Sequence, residues 1–165
     1  MNAIAETAFL LLHATIIADW IASNVEKPLL IGPDSESKQW VAAVARDAGI
    51  PFVVLEKVRR GDRDVSVSVP QIEQWSDRTP ILLDDIISTG RTMAQTIRHL
   101  ISAGMKAPVC IGTHAIFSGD AQQVLTAAGA GRLVTTNTVA HPTNAIDIAP
   151  LLIEPVRRLS AAADR

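Results

Sequence analysis

The sequence predicts an α/β protein of three layers, with helices on both faces of a mostly parallel sheet. Short apolar runs alternate four or five times with longer segments of helical spacing. This alternation is typical of strand–helix–strand units, whose crossovers are right-handed because strands twist right-handedly. The 165 residues contain no evident linker, repeat or low-complexity segment, and this length suffices for one buried core. We therefore expect residues 1–165 to form a single domain.

Each predicted element rests on a local pattern. The strands are short apolar runs, such as Pro-Leu-Leu-Ile-Gly at 28–32, and the helices are apolar at helical spacing and often end at a glycine. The predicted strands span residues 28–32, 51–55, 65–69, 79–83, 109–113, 133–136 and 145–148. The predicted helices span residues 3–24, 38–48, 89–103, 120–128 and 150–162. The highly charged stretch 56–64 is expected to be a mobile loop.

Composition narrows the classes of function. The formal net charge of −2 provides no basic field to attract nucleic acid. Cys110 is the one cysteine, which excludes an intrachain disulfide and fits a reducing compartment, so we expect a cytoplasmic protein. The apolar run 4–22 is interrupted by Glu6, His13 and Asp19, which favours a helix packed on a sheet over a membrane span.

The most informative stretch is Ile-Leu-Leu-Asp-Asp-Ile-Ile-Ser-Thr-Gly-Arg-Thr-Met at residues 81–93. Its apolar start predicts a buried strand that carries Asp84 and Asp85 to the sheet edge where ligands of open α/β sheets bind. The turn at 88–92 offers backbone N–H groups, hydroxyls and a helix N-terminus, which suit a phosphate. Carboxylates beside such a turn suit a sugar phosphate, because they can bind ribose hydroxyls or Mg²⁺.

The expected substrate-binding residues are Asp84, Asp85, Ser88, Thr89, Gly90, Arg91 and Thr92. A purely structural alternative is that Asp84 ends a strand, Asp85 is solvated, and the Ser-Thr pair forms an ordinary helix N-cap. For an Asp-Asp pair alone, the structural alternative would be favoured. The neighbouring apolar residues and the Ser-Thr-Gly-x-Thr spacing favour the sugar-phosphate site.

Two further segments follow predicted strands and are expected at the same sheet edge. Asp34, in Gly-Pro-Asp, follows the first strand and would face the same crevice, with a turn aspartate as the equally weighted alternative. Lys57 and Arg59 lie in the charged stretch after the second strand. A mobile basic loop over a phosphate site stabilises charge on transferring oxygens. Most charged loops are merely solvated, and Arg60 and Arg63 are weaker candidates.

Two polar residues after later strands are weaker candidates for ligand contacts. His114, in the stretch His-Ala-Ile-Phe-Ser-Gly, could position a ligand, although a lone histidine at a strand end is often structural. Asn137 lies in a Thr/Asn cluster, which can hold a sugar hydroxyl or a phosphate, or can be a plain turn. No set of residues in the chain matches the ligand spacing of a zinc site.

Taken together, these stretches resemble the ribose-phosphate pyrophosphokinases, in particular their C-terminal half, which has the type I phosphoribosyltransferase fold. The resemblance covers residues 8–158, nearly the whole chain. The Asp-Asp motif occurs across phosphoribosyltransferases, whereas His-x-Ile-Phe-Ser-Gly is more particular to the synthetases. The motif sequences Asp-Asp-Ile-Ile-Ser-Thr-Gly and Leu-Glu-Lys-x-Arg are most similar to those of archaeal-type members.

The resemblance implies an activity, a cofactor and partners. The activity is transfer of the β,γ-diphosphoryl group of ATP to the C1 hydroxyl of ribose 5-phosphate, with Mg²⁺, which yields phosphoribosyl pyrophosphate for nucleotide biosynthesis. By motif, residues 88–92 would bind the 5-phosphate, the acidic pair would hold the ribose hydroxyls, and Asp34 would lie near the ribose and the metal. Lys57 and Arg59 would stabilise the transition state, without a covalent intermediate. The family also implies homodimers or larger homo-oligomers.

Two departures from the family pattern modify these expectations. Family members are about twice as long, and their N-terminal half, which supplies most of the ATP site, has no counterpart in these residues, so we expect the chain alone to be incomplete as an enzyme. The turn after Asp34 contains Glu36 where the synthetases usually have small residues, which adds negative charge beside the expected anion site. Arg91 stands where many members have Gly, and adds a potential phosphate contact.

Two other functions stay open at this point. A stand-alone phosphoribosyltransferase would consume phosphoribosyl pyrophosphate, but it needs a hood for the base, and the residues after Val139 leave little room for one. A non-catalytic, phosphoribosyl-binding regulatory module would keep the fold and bind a sugar phosphate without turnover. Release of pyrophosphate with a nucleobase would distinguish the first of these, and binding without turnover the second.

Overall fold

The computed structural model describes residues 3–32, 38–60, 64–68 and 72–163. The helices are α1 (Ala3–Asn24), α2 (Lys38–Ala48), α3 (Arg91–Ser102), α4 (Ala121–Ala127) and α5 (Ala149–Ala163), with a 3-10 turn at Ile72–Trp75. The strands are β1 (Pro28–Gly32), β2 (Phe52–Val54), β3 (Glu56–Arg60), β4 (Asp64–Ser68), β5 (Thr79–Ile87), β6 (Val109–Ala115), β7 (Arg132–Thr136) and β8 (Asn144–Ile146). All five predicted helices and all seven predicted strands are confirmed, with shifts at their ends.

Six of the strands form one sheet in the order β2-β1-β5-β6-β7-β8, and every neighbouring pair in it is parallel. The strands are apolar on both faces, because a parallel sheet is covered by helices on both sides. Leu29, Ile31, Leu82 and Cys110 pack in one core cluster with α3 and α4. The alternate residues Leu30, Ile81, Leu83 and Ile111 pack in a second cluster with α1 and α2. The predicted three-layer architecture is therefore confirmed.

The strand order places a crevice between β1 and β5. The connection from β1 to β2 runs through α2 on one face of the sheet, and the connection from β5 to β6 runs through α3 on the other. Such a reversal leaves an open crevice beyond the carboxyl ends of the two strands, which is where ligands of these sheets bind. Among the described residues, β1 pairs with β5 only as far as Leu82, whereas β6 pairs with it as far as Ile87.

The expected mobile loop at 56–64 is wrong for residues 56–60 and for Asp64, and its residues 61–63 lie outside the described part of the structure. Residues Glu56–Arg60 form β3, which pairs antiparallel with β4 as a separate two-stranded sheet. The prediction failed because it took high charge as a sign of a loop. A two-stranded ribbon has no core face that excludes charges, and the Val-Ser alternation of β4 supplies a partner with high strand propensity.

Three elements at the crevice also differ from their predicted bounds. β5 continues for four residues beyond Leu83, so both carboxylates lie within the strand. β6 continues through Ala115 and therefore includes His114. In turn, α3 begins at Arg91, two residues later than predicted, because Gly90 has left-handed backbone angles that a helix does not accommodate.

Candidate functional site

The acidic pair lies near the end of β5, on a strand held by continuous pairing with β6. Asp84 is half-buried and Asp85 is exposed. The Ile86 N–H donates a hydrogen bond of 2.8 Å to Asp85 Oδ1. The preceding residues Ile81 and Leu83 are almost fully buried. Each such side chain contributes roughly 1.5–3 kcal/mol through burial, so the apolar part of the strand can hold a carboxylate in a partly desolvated position.

The environment of Asp84 favours its protonated form. Burial and the neighbouring Asp85 raise the pKa of Asp84 from 3.8 to about 7. Burial is the largest cause, because the charged carboxylate loses water on burial. Asp85 adds to it by accepting a hydrogen bond from protonated Asp84 and by repelling the ionised form. Near neutral pH, Asp84 therefore carries a proton in part of the molecules. A bound cation would displace that proton, and a sugar hydroxyl could accept a hydrogen bond from it.

The Asp84→Asn variant is expected to stabilise the metal-free protein at alkaline pH by about 1–2 kcal/mol. Because its pKa is raised on folding, Asp84 holds its proton more tightly in the folded chain, and stability falls as the pH rises from about 4 to about 7. The full shift would correspond to roughly 4 kcal/mol, which solvent access to the half-buried group reduces. Thermal unfolding in a chelator, at pH values near 4 and 8, measures the difference.

The matched control for this prediction is Asp77→Asn. Asp77 is an exposed carboxylate whose pKa is lowered by a hydrogen bond and an ion pair with Lys27, so its replacement should give no gain at alkaline pH. If Asp84→Asn changed the free energy of unfolding equally at both pH values, the raised pKa of Asp84 would be contradicted. A change in packing alone does not depend on pH.

The turn between β5 and α3 has the conformation expected of an anion-binding loop. Gly90 has φ 68° and ψ 1° and occupies the N-cap position of α3. Its carbonyl accepts the Ala94 N–H at 2.8 Å, which starts the helix. A Cβ at Gly90 would lie 3.0 Å from Leu125 Cγ, so glycine is required by both backbone angle and space. The first N–H groups of a helix have no partner within it and point at a ligand.

One pocket joins the acidic pair to this turn. Its volume is about 130 Å³, well above the roughly 10–15 Å³ that one water needs. It is lined by Asp84, Ile86, Ile87, Ser88, Thr89, Gly90, Arg91, Thr92 and Met93. Six of the seven residues expected to bind substrate therefore line one pocket. Asp85 is adjacent in sequence and interacts with Asp84.

The loop after β6 supports the turn from the side. The Phe117 N–H donates to the Ile87 carbonyl at 2.8 Å, and the Ser118 N–H donates to the Ser88 carbonyl at 3.1 Å. The Ser88 and Ser118 hydroxyl oxygens are 3.3 Å apart. Arg91 Nη2 donates to Asp120 Oδ1 at 3.3 Å. The His-Ala-Ile-Phe-Ser-Gly stretch thus holds the turn between β5 and α3 in position.

Sequence reasoning missed this support and the residues that hold it. Phe117 has φ 42°, an unusual value for a non-glycine residue. Its ring stacks on the His141 ring, with centroids 4.3 Å apart and planes inclined by 14°. The stretch itself was noticeable in the sequence, but the pairing of Phe117 with His141 joins segments that only the tertiary structure brings together.

The structure places His114 and Asn137 in hydrogen bonds within the protein. His114 Nδ1 is 2.9 Å from Thr138 Oγ1, and Thr138 Oγ1 also donates to the Thr113 carbonyl at 2.8 Å. Asn137 Nδ2 donates to Asp147 Oδ1 at 2.6 Å, and Asn137 Oδ1 accepts the Ile148 N–H at 2.9 Å. Both ends of the Asn137 amide thus connect β7 to the segment before α5, which gives Asn137 a structural role.

The remaining candidates are only partly described. Lys57 and Arg59 lie in β3, opposite Val67 and Val65 of β4, and their side chains lie outside the described part of the structure. Asp34 lies in the stretch 33–37, also outside the described residues. That stretch follows β1 directly, so the chain leads into it at the crevice. The roles expected of these three residues stay predictions.

The acidic pair has the chemistry that Mg²⁺ requires. Mg²⁺ prefers oxygen ligands and is commonly bound by one or two carboxylates together with substrate phosphates. Asp84 and Asp85 provide two neighbouring carboxylates whose repulsion a cation would relieve. Within the described residues, no group of three or more His, Cys, Asp or Glu side chains could hold a metal without further ligands. The donor set therefore fits a cation that substrate oxygens help to bind.

A parallel sheet with an acidic strand end, a glycine turn and a helix N-terminus is the arrangement by which many α/β proteins bind phosphorylated sugars or nucleotides. The family model of the phosphoribosyl transferase domain matches residues 3–148, and the chain therefore belongs to that family.

Within that family, the chain is similar to ribose-phosphate pyrophosphokinases. It is 32% identical over 135 residues to that of Methanopyrus kandleri, which covers 82% of this chain and 46% of the relative. It is 29% identical over 147 residues to that of Methanosarcina acetivorans, covering 88% and 52%. The crystal structure of phosphoribosylpyrophosphate synthetase from Mycobacterium smegmatis superposes with a TM-score of 0.73 at 28% identity, covering 93% of this chain and 51% of that one. The expected resemblance, with archaeal members among the relatives, is confirmed.

The chain spans about half the length of the curated relatives that it matches. The match to the phosphoribosyl transferase domain therefore assigns this chain to a transferase family at the level of the domain. In the part of the chain that the structure describes, none of the helices combines the length and apolar character needed to cross a bilayer.

Proposed function

We propose that this chain binds ribose 5-phosphate and that, in a complete enzyme, it contributes this site to a ribose-phosphate diphosphokinase. The observation that carries the proposal is the single pocket lined by both Asp84 and residues 88–92. An acidic strand end and a phosphate-binding turn match the two ends of ribose 5-phosphate. The similarity to ribose-phosphate pyrophosphokinases supports the choice of this sugar phosphate.

In this proposal, each part of the pocket binds one part of the substrate. The 5-phosphate binds the N–H groups and hydroxyls of the turn, with Arg91 at its rim. Asp84 and Asp85 accept hydrogen bonds from the ribose hydroxyls and hold Mg²⁺ together with substrate oxygens. When bound, Mg²⁺ supplies charge neutralisation on the phosphates. The protonation state of Asp84 follows from which of these partners is present.

The proposed reaction transfers a diphosphoryl group. The C1 hydroxyl oxygen of ribose 5-phosphate forms a bond to the β-phosphorus of ATP, the bond from that phosphorus to the α,β-bridging oxygen breaks, and AMP leaves. The hydroxyl proton is lost to solvent. Lys57 and Arg59 on the β3–β4 hairpin would stabilise the charge on the transferring oxygens. By the resemblance to the synthetases, Asp34 would contribute to binding of the metal and the ribose.

The proposal extends to the setting of the protein. We propose that it acts in a reducing cytoplasm, as a homodimer or larger oligomer, on ATP and ribose 5-phosphate rather than on nucleic acid or membranes. The low net charge and the single, buried Cys110 support the cellular setting. The oligomer rests on the resemblance to the synthetases, and size-exclusion chromatography with light scattering tests it.

Ribose 5-phosphate is expected to bind the wild-type chain in the micromolar to millimolar range in the presence of Mg²⁺. Isothermal titration calorimetry measures the affinity, with ribose and inorganic phosphate as partial ligands. Each partial ligand occupies only one end of the pocket, so both should bind more weakly than the sugar phosphate. A folded protein that binds ribose 5-phosphate no better than inorganic phosphate would contradict the proposal.

Turnover distinguishes the proposed function from its alternatives. We expect AMP to form from ATP and ribose 5-phosphate only when the chain is mixed with the N-terminal half of a ribose-phosphate pyrophosphokinase. Pyrophosphate release from phosphoribosyl pyrophosphate and a nucleobase would instead indicate a stand-alone phosphoribosyltransferase. Tight binding without turnover in the mixture would indicate a regulatory module.

A further inference from the structure

Asp120 occupies an unusual position relative to the phosphate-binding turn. It precedes α4 at the N-cap, yet its side chain makes no capping hydrogen bond. Its carboxylate instead accepts a hydrogen bond from the Arg91 guanidinium, with 3.3 Å between Asp120 Oδ1 and Arg91 Nη2. Both side chains are well exposed, at 67% for Arg91 and 62% for Asp120. The carboxylate is therefore available to Arg91 rather than used to begin the helix.

The backbone holds Asp120 beside the turn. Two main-chain hydrogen bonds join the loop after β6 to the loop after β5, from Phe117 to Ile87 and from Ser118 to Ser88. On the other side of Asp120, Leu125 of α4 lies so close to Gly90 that a Cβ at Gly90 would be 3.0 Å from Leu125 Cγ. Because both flanks of Asp120 are held at the turn, its backbone stays beside the anion site and keeps the carboxylate within reach of Arg91.

We propose that Asp120 regulates the affinity of the phosphate-binding turn by competing with the phosphate of the substrate for Arg91. This inference rests on the proposed function of the turn. In the free protein, Asp120 pairs with Arg91, the one cationic side chain among the described residues that line the pocket. A bound phosphate must take Arg91 from Asp120 and must also approach a fixed negative charge. Asp120 is a positioning residue in this scheme, because it acts on the ligand through Arg91.

The strength of the existing ion pair makes such an exchange feasible. Exposed ion pairs contribute little, since water screens them and two long side chains must be ordered. The contact uses one N–H of Arg91 at the long end of the hydrogen-bond range, whereas a phosphate can accept two parallel N–H groups of a guanidinium. The phosphate is therefore the better acceptor, and the carboxylate reduces its affinity without blocking it.

The test compares the wild type with Asp120→Asn, Arg91→Ala and the double variant. Inorganic phosphate and ribose 5-phosphate are titrated separately by calorimetry, at low and at high salt. We expect Asp120→Asn to bind both ligands about two- to fivefold more tightly at low salt, and the gain to shrink at high salt. Arg91→Ala should bind both more weakly, and adding Asp120→Asn to it should give a smaller gain than in the wild type.

Two controls separate this effect from general changes in charge or folding. Asp77→Asn removes a carboxylate that is similarly exposed, at 61%, and that forms an ion pair with Lys27. Both residues lie near the amino-terminal ends of the strands, away from the pocket. This variant should leave both affinities unchanged. Asp120→Glu, which restores the charge, should restore the wild-type affinity. Thermal unfolding of each variant establishes that it is folded.

The outcomes distinguish this inference from the proposed function. If Asp120→Asn binds either ligand as the wild type does or more weakly, or if Asp77→Asn gives the same gain, the competition is overturned. If inorganic phosphate shows the gain and ribose 5-phosphate binds no better than phosphate, Asp120 keeps its role and the proposed function fails. If ribose 5-phosphate binds well but Asp120→Asn gives no gain, the proposed function stands and the role of Asp120 is overturned. Failure of the folded wild type to bind either ligand overturns both.

Discussion

Replacement of both Asp84 and Asp85 by asparagine is expected to weaken Mg²⁺-dependent binding of ribose 5-phosphate by about tenfold or more. A hydrogen bond to a charged group contributes about 1.5–3 kcal/mol, so losing the charges of even one carboxylate suffices for that factor. The asparagine side chains keep the size of the originals. They cannot hold a cation as carboxylates do, because a neutral amide does not balance its charge. Calorimetry with and without Mg²⁺ measures the change.

The same variant has an opposite expected effect on inorganic phosphate in a chelator. Negative charge on the acidic pair repels an anion bound beside it, so removing that charge should leave phosphate binding unchanged or stronger. This contrast separates loss of ribose and metal contacts from damage to the site, since damage would weaken both ligands. Asp77→Asn again serves as the charge control, because Asp77 lies just before the amino-terminal end of β5, whereas the acidic pair lies near its carboxyl end. Undiminished Mg²⁺-dependent binding by the double variant would refute a role for the acidic pair.

Gly112→Ala is expected to destabilise the protein by about 1–3 kcal/mol and to disturb the site at the same time. A Cβ at Gly112 would lie 2.6 Å from both Cδ1 and Cγ1 of Ile87. Ile87 is 1% exposed and cannot easily adopt another rotamer. It lies between the acidic pair and the turn, and its carbonyl accepts the Phe117 N–H. Displacement of Ile87 should therefore reach both halves of the pocket.

Thermal unfolding and ribose 5-phosphate titration measure the two effects of Gly112→Ala. The matched background is Ile87→Val, which removes Cδ1 and by itself costs about 0.5–1.5 kcal/mol. The cost of the added methyl group should be smaller in that background, because one of the two close contacts is gone. A wild-type melting temperature for Gly112→Ala would show that the strands separate easily at this point, contrary to the close packing of the core.

The apolar runs of the sequence determined most of the fold. Segments such as 28–32 and 109–113 are short, apolar and bounded by turn residues, so burial on both faces was their only favourable state. Strand β3 was the exception. Its stability depends on pairing between β3 and β4 rather than on burial in the main sheet, and cross-strand pairing leaves little trace in the composition of a charged strand.

The local chemistry of the candidate site was also legible in the sequence. Asp84, Asp85 and residues 88–92 are contiguous, so the strand, turn and helix that carry them bring them together without help from the rest of the chain. The conformation of Gly90 is a local feature that differs, because the predicted helix included Gly90, whereas its positive φ places it before the helix.

Only the tertiary structure decided which other segments meet this site. The contacts of Ser118 with Ser88 and of Asp120 with Arg91 span about thirty residues each, and the burial that raises the pKa of Asp84 depends on the elements packed around β5. Sequence patterns report periodicity over one or two turns of structure. Desolvation and long-range contacts depend instead on the packing of elements that are distant in the chain, which is why Asp120 was recognised as part of the site only in the folded protein.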